Sequence, residues 1–306
     1  MKISNDKKVF ITGCGGMLGK AVYERFSPHC QVLATDIDVN EPWIEYGDVI
    51  DFQGMLEKAC NFKPDLIINL AAMTDLEYCE ENPEITWKTN ALGAENMALI
   101  SKRLGVTHIY ISTAGIFDGK KEYYNDFDQP NPMSIYAKSK YYGEVLIEKM
   151  LDNYFIFRAG WMMGGGYEKD KKFINKIFKQ ILDGKKELCV VEDKLGSPTY
   201  TVNFAESMFE IVQTELFGTY NMVCEGSGSR YDVATEFIKL LGIEKEIKIK
   251  IVNSAFFANE YFGPRPNSEK LLNLKLSARG INFMKDWKKC LADYAEVFKP
   301  YLETNR

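Results

Sequence analysis

Tyr136 and Lys140, in the stretch PMSIYAKSKYYGE (132–144), set a phenol and an ammonium four residues apart. On a helix that spacing puts both on one face. An ammonium beside a phenol favours the phenolate, bringing a group of ordinary pKa near ~10 closer to proton exchange at neutral pH. The spacing alone is weak, because roughly two such pairs are expected by chance from the composition. Two occur, the other being Tyr167 with Lys171. Their contexts differ. Tyr136 opens a helix after Pro130 and Pro132, and an upstream strand ends in Ser112-Thr113. That puts hydroxyls at the C-terminal edge of a parallel sheet, outside which open α/β sheets bind ligands. Tyr167 follows a triple glycine in the charged run YEKDKK. Tyr136 is therefore the candidate acid, Lys140 its electrostatic partner, and Thr113 a second donor to the same substrate oxygen. The competing reading is that Tyr136 and Lys140 share a solvated helix face.

A second constellation is the loop ITGCGGMLGK, between the first strand and the first helix. Gly13, Gly16 and Gly19 fit G-x-x-G-x-x-G, a relative of the dinucleotide fingerprint. Glycine there permits a tight turn, close approach to a pyrophosphate and close helix–strand packing. The helix start offers free N–H groups to phosphate, and Met17 and Leu18 belong to the same cofactor-facing loop. Asp36 ends the second strand about 20 residues on, where a carboxylate can accept from a ribose 2′-OH. Ile37-Asp38-Val39-Asn40 supply no cation for a 2′-phosphate, so NAD(H) is expected over NADP(H).

The elements that position these residues alternate. Strands are expected at 8–12, 31–36, 65–72, 106–113 and 154–160, and helices at 17–26, 51–60, 83–104 and 134–150. Short apolar runs alternating with helices predict an α/β fold, a Rossmann-type doubly wound parallel sheet. A basic helix near 171–182 and the loop GSPTY (196–200) follow, with no obvious linker. Any smaller C-terminal α/β substrate domain is thus interleaved with the first. The expected division is 1–162, with a returning segment at about 196–225, against 163–195 and 226–306.

Composition narrows the function class. A chain of 306 residues, 46% hydrophobic and 26% charged, is that of an ordinary globular protein. Net charge −5 argues against a nucleic-acid binder, and no apolar run approaches the ~20 residues that span a bilayer. Seven scattered cysteines without Cys-x-x-Cys, and a start that enters a strand directly, are expected of a cytoplasmic protein with reduced thiols. The two histidines leave little material for a zinc site or a Ser-His-Asp triad.

ITGCGGMLG, INLAAMTDLEYCEENPE, TNALGAENM, IST and YAKSKYYGE, in this order, resemble the extended short-chain dehydrogenase/reductases. FRAGW, KLGSPTYT and RPNSEKLLN are similar to the dTDP-4-dehydrorhamnose reductase branch, and the likeness covers nearly the whole chain. The resemblance implies an NAD(P)-binding Rossmann domain, a domain gripping a nucleotide-sugar, and Thr113, Tyr136 and Lys140 as catalytic triad. It further implies Asp48 and Val49 near the adenine, Ala71, Ala72 and Asn90 along the cofactor, and Trp161 near the sugar; Trp161 also reads as a core residue after a strand. Arg265 could hold a diphosphate through paired N–H groups, or be a surface arginine between prolines.

One departure matters. Relatives carry an acidic and then an aromatic residue after the threonine, whereas here Ala114 and Gly115 follow. The missing carboxylate weakens a dehydratase reading and leaves the sugar open. Ala21 and Val202 stand where some relatives place acidic residues for a metal-linked dimer, so no metal is carried over, and a homodimer is left open. The expected activity is NAD(P)H-dependent reduction of a nucleotide-linked 4-keto-6-deoxy sugar. The alternatives are a nucleotide-sugar epimerase with tightly bound NAD, and a non-catalytic cofactor-binding subunit resembling the β subunit of methionine adenosyltransferase.

Overall fold

In the computed structural model, which describes residues 2–304, six strands carry the first half of the chain. They are β1 (Lys8–Thr12), β2 (Gln31–Asp36), β3 (Ile44–Tyr46), β4 (Leu66–Asn69), β5 (Thr107–Thr113) and β6 (Tyr154–Ala159). Between them lie α1 (Gly19–Phe26), α2 (Phe52–Phe62), α3 (Leu76–Glu81), α4 (Pro83–Trp87), α5 (Gly93–Leu104) and α6 (Ile135–Met150). The sheet runs β6-β5-β4-β1-β2-β3, every pairing parallel, with Gly218–Asn221 added outside β6. This is the doubly wound order, and its direction reverses between β1 and β4, where such sheets open a ligand crevice.

Side chains alternate across a strand, which explains the unbroken apolar runs. Val9 and Ile11 of β1 join one core while Phe10 joins another, and β4 divides the same way, Leu66 and Ile68 against Ile67. Both faces of the sheet are covered, as parallel sheets require. The larger core continues without a break into Phe178, Phe237 and Phe298 of the later helices.

The C-terminal part adds small pairings. Glu187–Val191 lies parallel to Lys248–Val252, and Trp161–Met163 to Pro198–Tyr200. Leu195–Gly196 takes Ser268–Glu269 on one side in parallel and Gly228–Ser229 on the other, antiparallel.

The 83–104 stretch is helical throughout, but a π turn at Lys88–Leu92 interrupts it. Extra residues of this kind are common beside functional sites. Among the described residues, no helix is long and apolar enough to cross a membrane.

Candidate active site

The carboxyl ends of the strands open onto a cavity of about 1630 Å³. Gly13, Gly16, Met17, Leu18, Asp36, Asp48, Val49, Ala71 and Ala72 line one end of it, and Thr113, Tyr136, Lys140, Trp161 and Arg265 also face it.

The three glycines do different work. Gly13 has φ +77°, and a Cβ there would meet Ala71 N at 2.4 Å, so the turn and the loop after β4 both exclude a side chain. At Gly19 a Cβ would fall 2.0 Å from Cys14 O, which fixes the approach of α1 to the loop. Gly16 is exposed, and the nearest protein atom to its Cβ position is 3.6 Å away. Packing leaves room at Gly16, and that room faces the cavity. Leu18, the N-cap of α1, gives no side-chain cap; Gly19 N turns back to Gly16 O at 3.2 Å, and the N–H groups that follow it remain available to an anion. A dinucleotide fits this cradle. Asp36 accepts from Gly15 N at 2.8 Å and holds its carboxylate on the cavity wall.

Gly19 and Asn90 stand behind the wall rather than on it. Asn90, fully buried in the π turn, accepts from Met73 N at 2.8 Å and donates to Met73 O at 3.0 Å and Ser139 Oγ at 3.1 Å. It thereby ties the loop after β4 to α6, and Met73 is the residue that lines the cavity.

Local structure places the Thr-Tyr-Lys group. Ser134 caps α6 by accepting from Ala137 N at 3.1 Å, and Glu80 accepts from Ile135 N at 2.7 Å. Tyr136 is thereby fixed on the first turn. At the end of β5, Thr113 Oγ1 accepts from Gly115 N at 3.1 Å, and its hydroxyl contacts the Tyr136 phenol. Lys140 is 3% exposed, and its ammonium lies 4.0 Å from the Tyr110 ring centroid. Tyr110 donates to Lys140 O at 3.2 Å, an approach that Gly143 permits, since a Cβ there would lie 2.5 Å from the Tyr110 oxygen. One turn on, Glu144 makes a buried two-pronged pair with Arg158 of β6.

The electrostatics correct one expectation from the sequence. The Tyr–Lys spacing predicts a phenol lowered by its ammonium. Instead burial pushes Tyr136 up to about 12, against the opposing contact of the Thr113 hydroxyl, with Cys79 and Glu269 adding to the rise. Burial also pushes Lys140 down to about 7, partly offset by the Glu144 charge. Desolvation is the largest influence on both groups in this pocket. The protonated phenol that results suits a proton donor.

Arg265 lines the cavity, but its guanidinium is committed. It pairs with both Glu77 oxygens, at 2.6 and 2.9 Å, and donates to Gly263 O at 2.9 Å. Arg230 is the guanidinium that sequence reasoning missed. It stacks 3.6 Å from the Trp161 ring centroid, makes no ion pair among the described residues, and is lowered to about 10 by burial against the Glu269 charge. Its signal was the capping box of Ser229 and Asp232, which starts a helix at Arg230. Trp161 is no plain core residue: it is half-buried, packs on Gly196 and donates from Nε1 to Glu269 Oε2 at 2.7 Å. Tyr167, of the competing pair, stacks on Tyr301 at 4.7 Å instead.

A switch-point crevice with a phosphate cradle at one end and a Thr-Tyr-Lys group on its wall defines an NAD(P)-dependent oxidoreductase of the extended short-chain dehydrogenase type. Residues 7–299 match the family model described as RmlD substrate binding domain, and the chain belongs to that family. It is 30% identical, over 94% of its length and 97% of the relative's, to the spore coat polysaccharide biosynthesis protein SpsK of Bacillus subtilis. Among solved structures, dTDP-4-dehydrorhamnose reductase from Yersinia enterocolitica superposes with a TM-score of 0.85 at 32% identity, covering 96% of this chain and 100% of that one. The Bacillus anthracis dTDP-4-dehydrorhamnose reductase in complex with NADP gives 0.86 at 27% identity, covering 96% and 99%.

Proposed function

We propose that this chain reduces the 4-keto group of a nucleotide-activated 6-deoxy sugar, as a dTDP-4-dehydrorhamnose reductase does, in the synthesis of polysaccharide precursors. The observation that carries the proposal is the convergence of Thr113, Tyr136 and Lys140 on the cavity that also holds the glycine loop. Bound NAD(P)H supplies hydride to the carbonyl carbon. Thr113 and Tyr136 hold the carbonyl oxygen, Tyr136 gives it a proton, and the Lys140 ammonium stabilises the phenolate left behind. Trp161 packs against the sugar. Arg230, which makes no ion pair among the described residues, meets the diphosphate more directly than Arg265, whose guanidinium is paired with Glu77. The sugar-gripping part is the 163–195 and 226–306 portion, laid over a 1–162 cofactor portion to which Gly218–Asn221 returns as a strand.

Replacing Tyr136 with Phe should lower NADH oxidation by a dTDP-linked 4-keto-6-deoxy sugar by roughly 10²- to 10⁴-fold and leave the Kd for NADH unchanged. Wild-type turnover in the variant would remove Tyr136 from the chemistry.

For the cofactor we favour NADH. Asp36 repels a 2′-phosphate, and Lys169, a cation the fold brings near, is held by Glu41 at 2.8 Å and Asn40 at 3.0 Å. A KM for NADPH below that for NADH would reverse this choice.

A further inference from the structure

The space beside Thr113 that Ala114 and Gly115 leave without a side chain is filled from elsewhere in the chain. The position that a Cβ on Gly115 would take lies 3.4 Å from Thr113 Oγ1 and 3.5 Å from Glu269 Oε1. The two oxygens therefore flank one spot and lie within about 7 Å of each other. Glu269 is held rigidly. Its backbone pairs with Gly196 in the Ser268–Glu269 strand, Gly196 packs on the Trp161 ring, and Trp161 Nε1 donates to Oε2 at 2.7 Å. Arg230, stacked on the same ring, supplies the compensating charge. Oε1 has no protein donor among the described residues, and Glu269 lines the cavity. One carboxylate oxygen is fixed, and the other is left as a strong acceptor on the side of Thr113.

We infer that Glu269 is a specificity-determining residue whose Oε1 accepts a hydrogen bond from the substituent on the carbon next to the keto group. This inference rests on the keto-sugar reading above and narrows its substrate. In a 4-keto-6-deoxy hexose, C5 offers only a methyl group and the ring oxygen, neither of them a donor. C3 carries a hydroxyl. A vicinal keto-hydroxyl pair held at one end by Thr113 and at the other by Glu269, through two hydrogen bonds of about 2.8 Å each, can bridge a separation within that limit. The substrate class is a nucleotide-linked 4-keto sugar with a free hydrogen-bond donor at C3; a 3-deoxy or 3-O-alkyl sugar leaves the carboxylate desolvated without a partner and is rejected.

The test compares wild type with Glu269→Gln, using a dTDP-linked 4-keto-6-deoxy hexose and its 3-deoxy counterpart. Binding of the corresponding dTDP-6-deoxyhexoses is measured by calorimetry in parallel. The glutamine amide oxygen still accepts from Trp161, so the pocket keeps its shape. Wild type should prefer the 3-hydroxy sugar by roughly 10- to 100-fold in both kcat/KM and Kd; the variant's amide can still donate to that hydroxyl but strands no charge when it is absent, so the preference should fall several-fold while NADH binds normally. A merely structural role would depress both sugars equally and leave their ratio intact; that result, or a wild type indifferent to the C3 hydroxyl, overturns the inference. If wild type binds with a C3-dependent affinity that falls several-fold in the variant but oxidises no NADH, the Glu269 contact stands and the reductase reading falls.

Discussion

Burial moves the two titrating members of the Thr-Tyr-Lys group in opposite directions, and this sets a pH dependence at the scale of single residues. Tyr136, pushed up to about 12, stays protonated through the neutral range. Lys140, pushed down to about 7, does not. Proton donation leaves a phenolate that only the ammonium form of Lys140 stabilises. We therefore expect kcat/KM for the keto sugar to fall as pH rises through about 7, approaching tenfold per unit. Stability should move the other way. The unfolded lysine keeps its proton up to the ordinary 10.5, the folded one only to about 7, so between those values the unfolded chain binds more protons. Stability then rises with pH across that window, and the full cost of burying the charge applies below it. Lys140→Met should flatten both profiles. Rate profiles measured from pH 6 to 9, with urea unfolding at the same pH values, check this; a flat wild-type rate across the range would remove Lys140 from the proton chemistry.

At the scale of elements, what could be read from the sequence follows how local each signal is. β1 and β2 have the bounds their apolar runs give, because burial on both faces is written into consecutive residues. Met17 and Leu18 read as helix, but α1 begins at Gly19 because the phosphate loop uses them. Within 83–104 the helical period is plain while the π turn is invisible, since no proline or cap marks it; yet that turn carries Asn90 inward to Met73. The strands Leu195–Gly196, Gly228–Ser229 and Ser268–Glu269 have two residues each, too short to show a period of two. Hence Thr113, Tyr136 and the glycine loop were legible, each lying at the end of a long element. Glu269 and Arg230 were not, since their partner Trp161 is distant in sequence and reached only through those short strands. Arg265 was legible as a cation near the cavity, but its partner Glu77, 188 residues away, decides what it does.

That pair matters for the whole molecule. Glu77, on α3 beside the cofactor end, and Gly263 with Arg265, on the C-terminal segment, meet across the cavity, which all three line. Burial would raise the Glu77 carboxyl, but the hydrogen bonds and charge of Arg265, with the Gly263 amide, bring it below the ordinary glutamate range. We expect this latch to hold the two halves of the cavity together, so that either partner's loss weakens nucleotide-sugar binding through the same opening. Glu77→Gln and Arg265→Gln should each raise the Kd for dTDP about 3- to 10-fold, corresponding to the ~1 kcal/mol of a partly exposed pair. The double variant should be little worse than either single one, because a broken latch cannot be broken twice. If Arg265 instead grips the diphosphate directly, its release from Glu77 makes it a better ligand. Glu77→Gln would then tighten dTDP while Arg265→Gln weakens it. Calorimetry on the three variants, at the pH used for wild type, separates the two: opposite signs for the single variants would overturn the latch.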